Sequence, residues 1–354
     1  MKNIVLFLPN WIGDVVMATP SLMAVRAQYP QAHLVAVCRS YVAALLDGSP
    51  WFNSILLADK KSGWSGQYAA IRQLRRLRPE AAVLYPNSFR SALMAWLGGC
   101  LSRVGFARSG RSWLLTHRLK PHLDERGGYR PTPIIDDYNR LVMALGVPDP
   151  GHTMRLFTTP DHDQAAAKLW QEERLGDAPA VVGINTGGAF GSAKQWPLEY
   201  FVQLAQRFRD EQGWAVLILC GPSEREVARA IVQKAARPLV VSLADRTLSL
   251  GFSKSCVQKL DLLVSTDSGP RHFAAAFDRP VVSLFGPTFI DWTDTFYPRE
   301  IMLQEKVPCG PCQQRECHLD HRCMKNLSVA RVYQAALSLL GHRAEKLRGQ
   351  RHAS

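Results

Sequence analysis

The sequence lacks any apolar run long enough to cross a bilayer. The apolar stretch near its start covers only residues 4–8, and the longer one at residues 92–101 is also short of the roughly 20 residues that a spanning helix needs. Low-complexity tracts are absent, and 47% of the 354 residues are hydrophobic. These features exclude a transmembrane or disordered chain. They predict a folded cytoplasmic protein whose eight cysteines are reduced.

Acidic residues are scarce relative to basic ones. The chain has 30 Asp and Glu against 43 Lys and Arg, a formal net charge of +13, with basic clusters at residues 72–78, 103–111 and 343–351. Such a field suits a nucleic acid, an anionic membrane surface or a phosphorylated substrate. No nucleic-acid motif is present, and aromatic residues are not interleaved with the clusters as in a base-stacking platform. We therefore expect an anionic membrane or a phosphorylated substrate and no nucleic acid; the alternative is a solvated basic face.

A P-loop and the dinucleotide fingerprint are also missing, but strands and helices alternate along the chain. The length predicts two domains, residues 1–160 and 161–327, with a boundary near Pro160. Continuous apolar runs indicate buried parallel strands. They cover residues 3–8, 33–37, 54–58 and 81–85 in the first domain, and 180–185, 214–220, 239–243, 261–266 and 281–285 in the second. This is an α/β protein, and its ligands are expected at the carboxyl edges of the sheets.

One strand end in the second domain carries the strongest signal. The strand at residues 261–266 runs into Asp267, Ser268 and Gly269, and then into a short Ala-rich helix with Pro270 in its first turn. Free backbone amides and the helix dipole at such a turn favour an anion, while Asp267 can accept from hydroxyl groups and His272 can donate. The alternative is an ordinary turn in which Asp267 caps the helix.

Other strand ends carry polar residues as well. Thr186 and Gly187 open a Gly-rich loop that lets a ligand approach the backbone, and Lys194 brings a mobile cation to it. Glu224 lies where an acidic residue can hold ribose hydroxyls. In the first domain, Asp14 follows the first strand at a helix N-terminus; the alternative there is an acid that complements the helix dipole.

Four motifs in order together resemble the ADP-heptose:lipopolysaccharide heptosyltransferases, most of all the heptosyltransferase II branch. They are residues 10–14 (NWIGD), 193–197 (AKQWP), 265–270 (STDSGP) followed by His272, and 285–288 (FGPT). The resemblance runs from the first strand to about residue 340. Gln195 stands where the family more usually has Arg, and Arg271 replaces a common apolar residue.

The resemblance implies a GT-B architecture, two Rossmann-like domains facing across a cleft. It implies that residues 328–354 form a basic tail and a last helix, near residues 329–340, that crosses back to the first domain. The implied reaction is an inverting transfer of a heptosyl group from ADP-heptose to the lipopolysaccharide inner core, without a cofactor, peripherally at the inner face of the cytoplasmic membrane. The alternatives are a related ADP-sugar glycosyltransferase acting on a protein or another glycan, and a non-catalytic nucleotide or polyanion binder.

The resemblance also implies roles for individual residues. Asp14 takes the proton from the acceptor hydroxyl, and Lys194 stabilises the charge that grows on departing ADP. The implied acceptor-binding residues are Asn10, Asn87 and Arg90. The implied donor-binding residues are Thr186, Gly187, Lys194, Glu224, Asp267, Ser268, Gly269 and His272.

Four cysteines follow the second domain with the spacing C-x2-C-x4-C-x5-C: Cys309, Cys312, Cys317 and Cys323. This spacing suits zinc or a cluster, and C-G-P-C resembles the thioredoxin motif but does not open a helix of a thioredoxin-sized unit. We expect reduced structural thiols, with a structural metal site as the alternative. The D-x-D pattern at residues 161–163 opens a helix after a proline, so it predicts capping instead of a carboxylate metal site.

Overall fold

A computed structural model of the protein describes residues 1–59, 63–125, 127–188 and 190–351, without the side chains of residues 63–65 and 342–351. The side chains of the basic cluster at 343–351 therefore lie outside the described residues. The chain divides into two compact units. The first unit comprises residues 1–157 and 291–296, and the second comprises residues 158–290 and those from 297 onward.

The first unit contains one sheet of six parallel strands in the order β3-β2-β1-β4-β5-β6. These are β1 (Asn3–Phe7), β2 (His33–Cys38), β3 (Ser54–Leu57), β4 (Ala81–Leu84), β5 (Ser102–Phe106) and β6 (His117–Leu119). The four strands predicted here are confirmed. The prediction missed β5, which begins with the polar residues Ser102 and Arg103, and β6, which has three residues. Residues 114–133, rich in Arg, Gly and Pro, predict an irregular loop, and β6 lies within them.

In the described part of this unit, six helices accompany the sheet. They are α1 (Ile12–Met17), α2 (Thr19–Gln28), α3 (Ser40–Leu46), α4 (Gly63–Leu77), α5 (Phe89–Leu97) and α6 (Ile134–Met143). The apolar residues Val15, Val16, Leu22 and Val25 predict one helix over residues 15–28; this prediction is wrong, because the helix is interrupted at Ala18 between α1 and α2. Pro20, which cannot donate a backbone hydrogen bond, lies in the first turn of α2, where a missing N–H costs least.

The second unit repeats the design, in the strand order β12-β11-β10-β7-β8-β9, again all parallel. Its strands are β7 (Val181–Asn185), β8 (Ala215–Leu219), β9 (Val240–Ser242), β10 (Leu262–Thr266), β11 (Val281–Phe285) and β12 (Glu300–Gln304). All five predicted strands are confirmed, and β12 was missed because both its ends are polar.

The helices of the second unit end with a long one that packs on its own sheet. They are α7 (Pro160–Glu172), α8 (Leu198–Gln212), α9 (Arg225–Ala235), α10 (Leu250–Lys259), α11 (Gly269–Ala276), α12 (Arg322–Lys325) and α13 (Val329–Arg351). The described part of α13 contacts α8, β10 and β11. Tyr333 of α13 accepts a hydrogen bond from the Gln212 amide at 2.8 Å, and its ring packs 5.5 Å from that of Phe208. Among the described residues, no helix is long and apolar enough to cross a membrane.

The strand order fixes where ligands can bind in each unit. In the first sheet the direction of strand addition reverses between β1 and β4, and in the second between β7 and β10. Loops that leave the carboxyl ends of such a strand pair diverge and leave a crevice. Asp14 and Asn87 follow β1 and β4, while Thr186 and Asp267 follow β7 and β10, so the sequence-predicted residues lie at these two points.

Candidate active site

The side-chain amide of Asn185, which no sequence motif marks, joins the loops after β7 and β10. Asn185 Nδ2 donates to Ser268 Oγ at 2.7 Å and to the Gly187 carbonyl at 3.0 Å. At Gly188 a Cβ atom would lie 2.8 Å from Ser268 Cβ, so only glycine allows this approach. The structure thus brings Thr186, Gly187 and Ser268 to one edge of the second sheet.

Lys194 and Asp267 form an ion pair at the same edge. Lys194 Nζ lies 2.5 Å from Asp267 Oδ2 and 3.0 Å from the Asp267 carbonyl oxygen, and 4.4 Å from the centre of the Phe190 ring. The Thr288 hydroxyl donates to the same carboxylate oxygen at 2.8 Å. The Lys194 side chain is 14% exposed and that of Asp267 5%, so Lys194 is the more accessible partner of the pair.

A second, fully buried ion pair lies behind Asp267. Arg271 Nη1 is 3.2 Å from Asp267 Oδ1, and Arg271 Nε is 3.0 Å from Glu300 Oε1. Glu300 also accepts from the Ser283 hydroxyl at 2.5 Å. Charges therefore alternate along Lys194, Asp267, Arg271 and Glu300, a row that we call the charge chain.

The charge chain keeps Asp267 ionised. Burial alone would raise the pKa of this carboxyl group, but the attraction of Lys194 and then of Arg271 lowers it to about 2. The neighbouring His272 is buried as well. Burial, followed by repulsion from Arg271, holds its pKa well below 6.5, so its ring is neutral at neutral pH.

Glu224 lies against the Gly-rich loop at this same edge. Glu224 Oε2 accepts from the Gly221 amide at 2.7 Å, and a Cβ atom on Gly187 would lie 2.5 Å from Glu224 Oε1. Glu224 therefore stabilises its own turn and packs against Gly187.

Within the described part of the chain, the buried Thr186 hydroxyl has no hydrogen-bond partner. Nor does any side chain there cap α11, whose N-cap is Ser268. The Thr186 hydroxyl and the backbone amides at the start of α11 are therefore available to a ligand.

In the first unit, Asp14 is half-buried in the first turn of α1. Tyr138 of α6 donates a hydrogen bond to its carboxylate, and burial together with the Asp14 charge raises the pKa of Tyr138 well above 10. The Tyr138 ring packs edge-on against Tyr85, with 5.2 Å between ring centres, and the Tyr85 hydroxyl pairs with Ser21 Oγ at 2.7 Å. Tyr138 could not be found from the sequence, since no local pattern links α6 to β1.

The predicted acceptor residues lie at this same sheet edge. Arg111, which is fully buried, donates to Asn87 Oδ1 at 3.0 Å, and burial lowers the Arg111 pKa to about 10. Arg90 Nη2 is buried and has no partner among the described residues. Asn10 is exposed, and its backbone carbonyl accepts from the Tyr41 hydroxyl at 2.5 Å. Within the described part of the chain, Arg90 Nη2 is therefore a buried donor at this edge that no acceptor satisfies.

The cysteine-rich segment supports the loop of Lys194. The Ala193 amide donates to the Arg315 carbonyl at 3.0 Å, and His321 Nε2 lies 2.7 Å from the Ala193 carbonyl oxygen. All eight cysteines are free. Burial raises the Cys323 pKa, as do the nearby thiols of Cys317, Cys309 and Cys312. In the described ranges, no group of three or more His, Cys, Asp or Glu side chains is arranged to hold a metal ion.

Two Rossmann-like parallel sheets define the class of this protein; one has an uncapped helix N-terminus where its strand order reverses, and the other has a carboxylate there. The class is that of glycosyltransferases with the GT-B fold. The family model of glycosyltransferase family 9 (heptosyltransferase) matches residues 67–322. The chain belongs to that family.

Relatives of known name agree with this assignment. Lipooligosaccharide heptosyltransferase 2 of Campylobacter jejuni subsp. jejuni serotype O:2 is 25% identical, over 96% of this chain and 98% of the relative. Lipopolysaccharide heptosyltransferase 2 of Salmonella typhimurium is 26% identical, over 94% of this chain and 97% of the relative. The solved structure of E. coli ADP-heptose LPS heptosyltransferase II has a TM-score of 0.78 at 24% identity, covering 97% of this chain and 100% of that one. A family 9 glycosyltransferase from Veillonella parvula gives a TM-score of 0.81 at 21% identity, covering 96% and 97%.

Proposed function

We propose that the protein transfers a heptosyl group from ADP-heptose to the inner core of lipopolysaccharide, with inversion at the anomeric carbon. The observation that carries the proposal is the turn after β10. It offers the Lys194 ammonium, the uncapped N-terminus of α11 and the ionised Asp267 within one sheet edge. A nucleoside diphosphate sugar presents two phosphates beside a polyol, which are the groups that such a set recognises.

The donor binds the second unit. Lys194 and the first amides of α11 hold the diphosphate and stabilise the charge that develops on the leaving ADP. Asp267 accepts from sugar hydroxyls, and Glu224 from those of the ribose. The Thr186 hydroxyl and the exposed backbone at Gly187 complete the site, together with the neutral ring of His272. Lys194 is already paired with Asp267, so its ammonium group contacts both the Asp267 carboxylate and the bound diphosphate.

The acceptor is activated by the first unit. Asp14 takes the proton from the attacking hydroxyl. The Tyr138 hydroxyl donates to this carboxylate and helps to fix its orientation. Arg90, Asn87 and Asn10 contact phosphorylated core sugars. Because the acceptor is a membrane lipid, we place the reaction at the inner face of the cytoplasmic membrane.

Release of ADP from ADP-heptose tests this proposal. The reaction is run with an inner-core acceptor, an unrelated glycan, a peptide and no acceptor, using the wild type and Asp14→Asn. We expect turnover of the wild type with the inner-core acceptor only. Turnover with the peptide or the unrelated glycan instead would mean that the protein is a glycosyltransferase acting on one of those acceptors. ADP binding without turnover on any of them would identify a nucleotide-binding protein.

A further inference from the structure

Three aromatic side chains form an exposed cluster on the first unit. Phe89 and Trp96 lie on α5, and Trp113 lies in the short 3₁₀ turn Ser112–Leu114. Their exposed fractions are 42%, 48% and 61%. The ring centres of Phe89 and Trp113 are 6.1 Å apart and those of Trp96 and Trp113 are 6.2 Å apart, so the rings touch. We call these three residues the aromatic triad.

The aromatic triad is not part of the hydrophobic core of the first unit. Helix α5 already buries one face through Ala92 and Ala95, which pack within the core beside β4. Phe89 and Trp96, seven residues apart, project from another face of the helix, and Leu101, just past the helix, is 72% exposed. A helix that is apolar on its solvent side as well as its core side presents a surface that normally meets a partner.

Arginines are fixed at the border of the triad. Arg75 Nε donates to the Leu97 carbonyl at 2.6 Å, one residue from Trp96, and Arg103 Nε donates to the Leu114 carbonyl at 2.6 Å, one residue from Trp113. Arg72 and Arg76 are exposed on α4, which packs against α5. Residues 60–123 contain twelve Lys and Arg but a single acidic residue, Glu80. The partner must therefore be both apolar and anionic.

We propose that the aromatic triad, with Arg75 and Arg103 beside it, docks the first unit onto an anionic phospholipid bilayer. Tryptophan rings prefer the interface between lipid headgroups and acyl chains, and arginines next to them gain from anionic headgroups. Phe89 directly precedes Arg90, so docking brings the predicted acceptor edge to the membrane. That consequence rests on the proposed function; the docking itself rests on the surface alone.

Vesicle binding tests the docking surface with the full chain. Co-sedimentation is measured with vesicles of phosphatidylethanolamine and phosphatidylglycerol, and with vesicles of phosphatidylcholine alone. We expect the wild type to prefer the anionic vesicles. The double variant Trp96→Ser with Trp113→Ser should bind them about tenfold more weakly, and so should Arg75→Glu with Arg76→Glu. Leu319→Ser, which removes another exposed apolar side chain (65% exposed), and Lys168→Glu serve as matched controls.

Each outcome decides the proposal. Unchanged vesicle binding by the tryptophan variant overturns it. If that variant instead loses a self-association that the wild type shows, with vesicle binding unaltered, the surface belongs to a second copy of the chain. ADP binding by calorimetry establishes that the variants are folded. Turnover on a short, delipidated acceptor should be unaffected in the tryptophan variant, which separates a failure of docking from a failure of the proposed function.

Discussion

Replacing Arg271 by methionine should destabilise the second unit by about 3–5 kcal/mol, the usual cost of breaking a buried ion pair from one side. The Arg271 side chain is 0% exposed, and its partners Asp267 and Glu300 are 5% and 2% exposed. Without Arg271, Asp267 still has Lys194 and Thr288, whereas among the described residues Glu300 retains only the Ser283 hydroxyl. The cost therefore arises at Glu300, whose buried charge is left uncompensated.

Because the loss of stability arises from the Glu300 charge, a second substitution that removes this charge should restore it. Arg271→Met combined with Glu300→Gln removes both charges and keeps an acceptor for Ser283, so most of the lost stability should return. Urea unfolding of the full chain measures it, and the transition that ADP shifts is the one that reports on the second unit. Arg237→Met, which breaks an exposed pair with Asp210, is the matched control and should change little. A double variant as unstable as the single one would refute this reasoning, as would a single variant as stable as the control.

The remaining predictions concern catalysis and pH. Asp14→Asn should lower turnover by about 10²–10⁴-fold and leave ADP affinity, measured by calorimetry, unchanged; near-normal turnover would remove Asp14 from the mechanism. Lys194→Ala should weaken ADP binding and also lower turnover, because the ammonium touches the diphosphate before and during the reaction. Turnover should persist in EDTA, because Lys194 and the α11 N-terminus supply the positive charge; a complete loss restored by a divalent cation would contradict this. The lowered pKa of His272 means that the unfolded chain binds a proton below pH 6.5 that the folded chain refuses, so stability should fall as the pH drops below 6.5. His272→Gln should flatten that part of the Tm profile, and an unchanged slope would exclude His272 as its source.

The sheets were predictable where the strands are buried on both faces. Such strands form unbroken apolar runs, as in β1 and β10, whose residues are almost all fully buried. The strands that were not predicted lie at a sheet edge or next to one. Strands there can carry polar residues, because they are less completely buried than the central strands. β6 is His117–Leu119 with two exposed residues, and β12 begins with Glu300, whose side chain is buried only because Arg271 pairs with it.

The candidate site was predictable in its positions but not in its partners. Polar residues directly after buried strands must meet at one sheet edge, so Thr186, Lys194 and Asp267 could be grouped from the sequence. Their supports come from elements far along the chain. Thr288 reaches Asp267 from the turn after β11, and Tyr138 reaches Asp14 from α6. Only the fold brings these pairs together, because no local pattern links them.

Asp267 illustrates how the structure separates two interpretations that the sequence left open. An aspartate just before a short helix suits a helix cap as well as a ligand site. The capping interpretation is wrong: Ser268 is the N-cap residue of α11, and the Asp267 carboxylate is bonded to Lys194, Arg271 and Thr288 instead. A carboxylate that capped α11 would neutralise the helix N-terminus and repel a phosphate there. Because the charge chain turns Asp267 away from that role, the positive end of α11 stays open to an anion while the carboxylate remains ionised beside it.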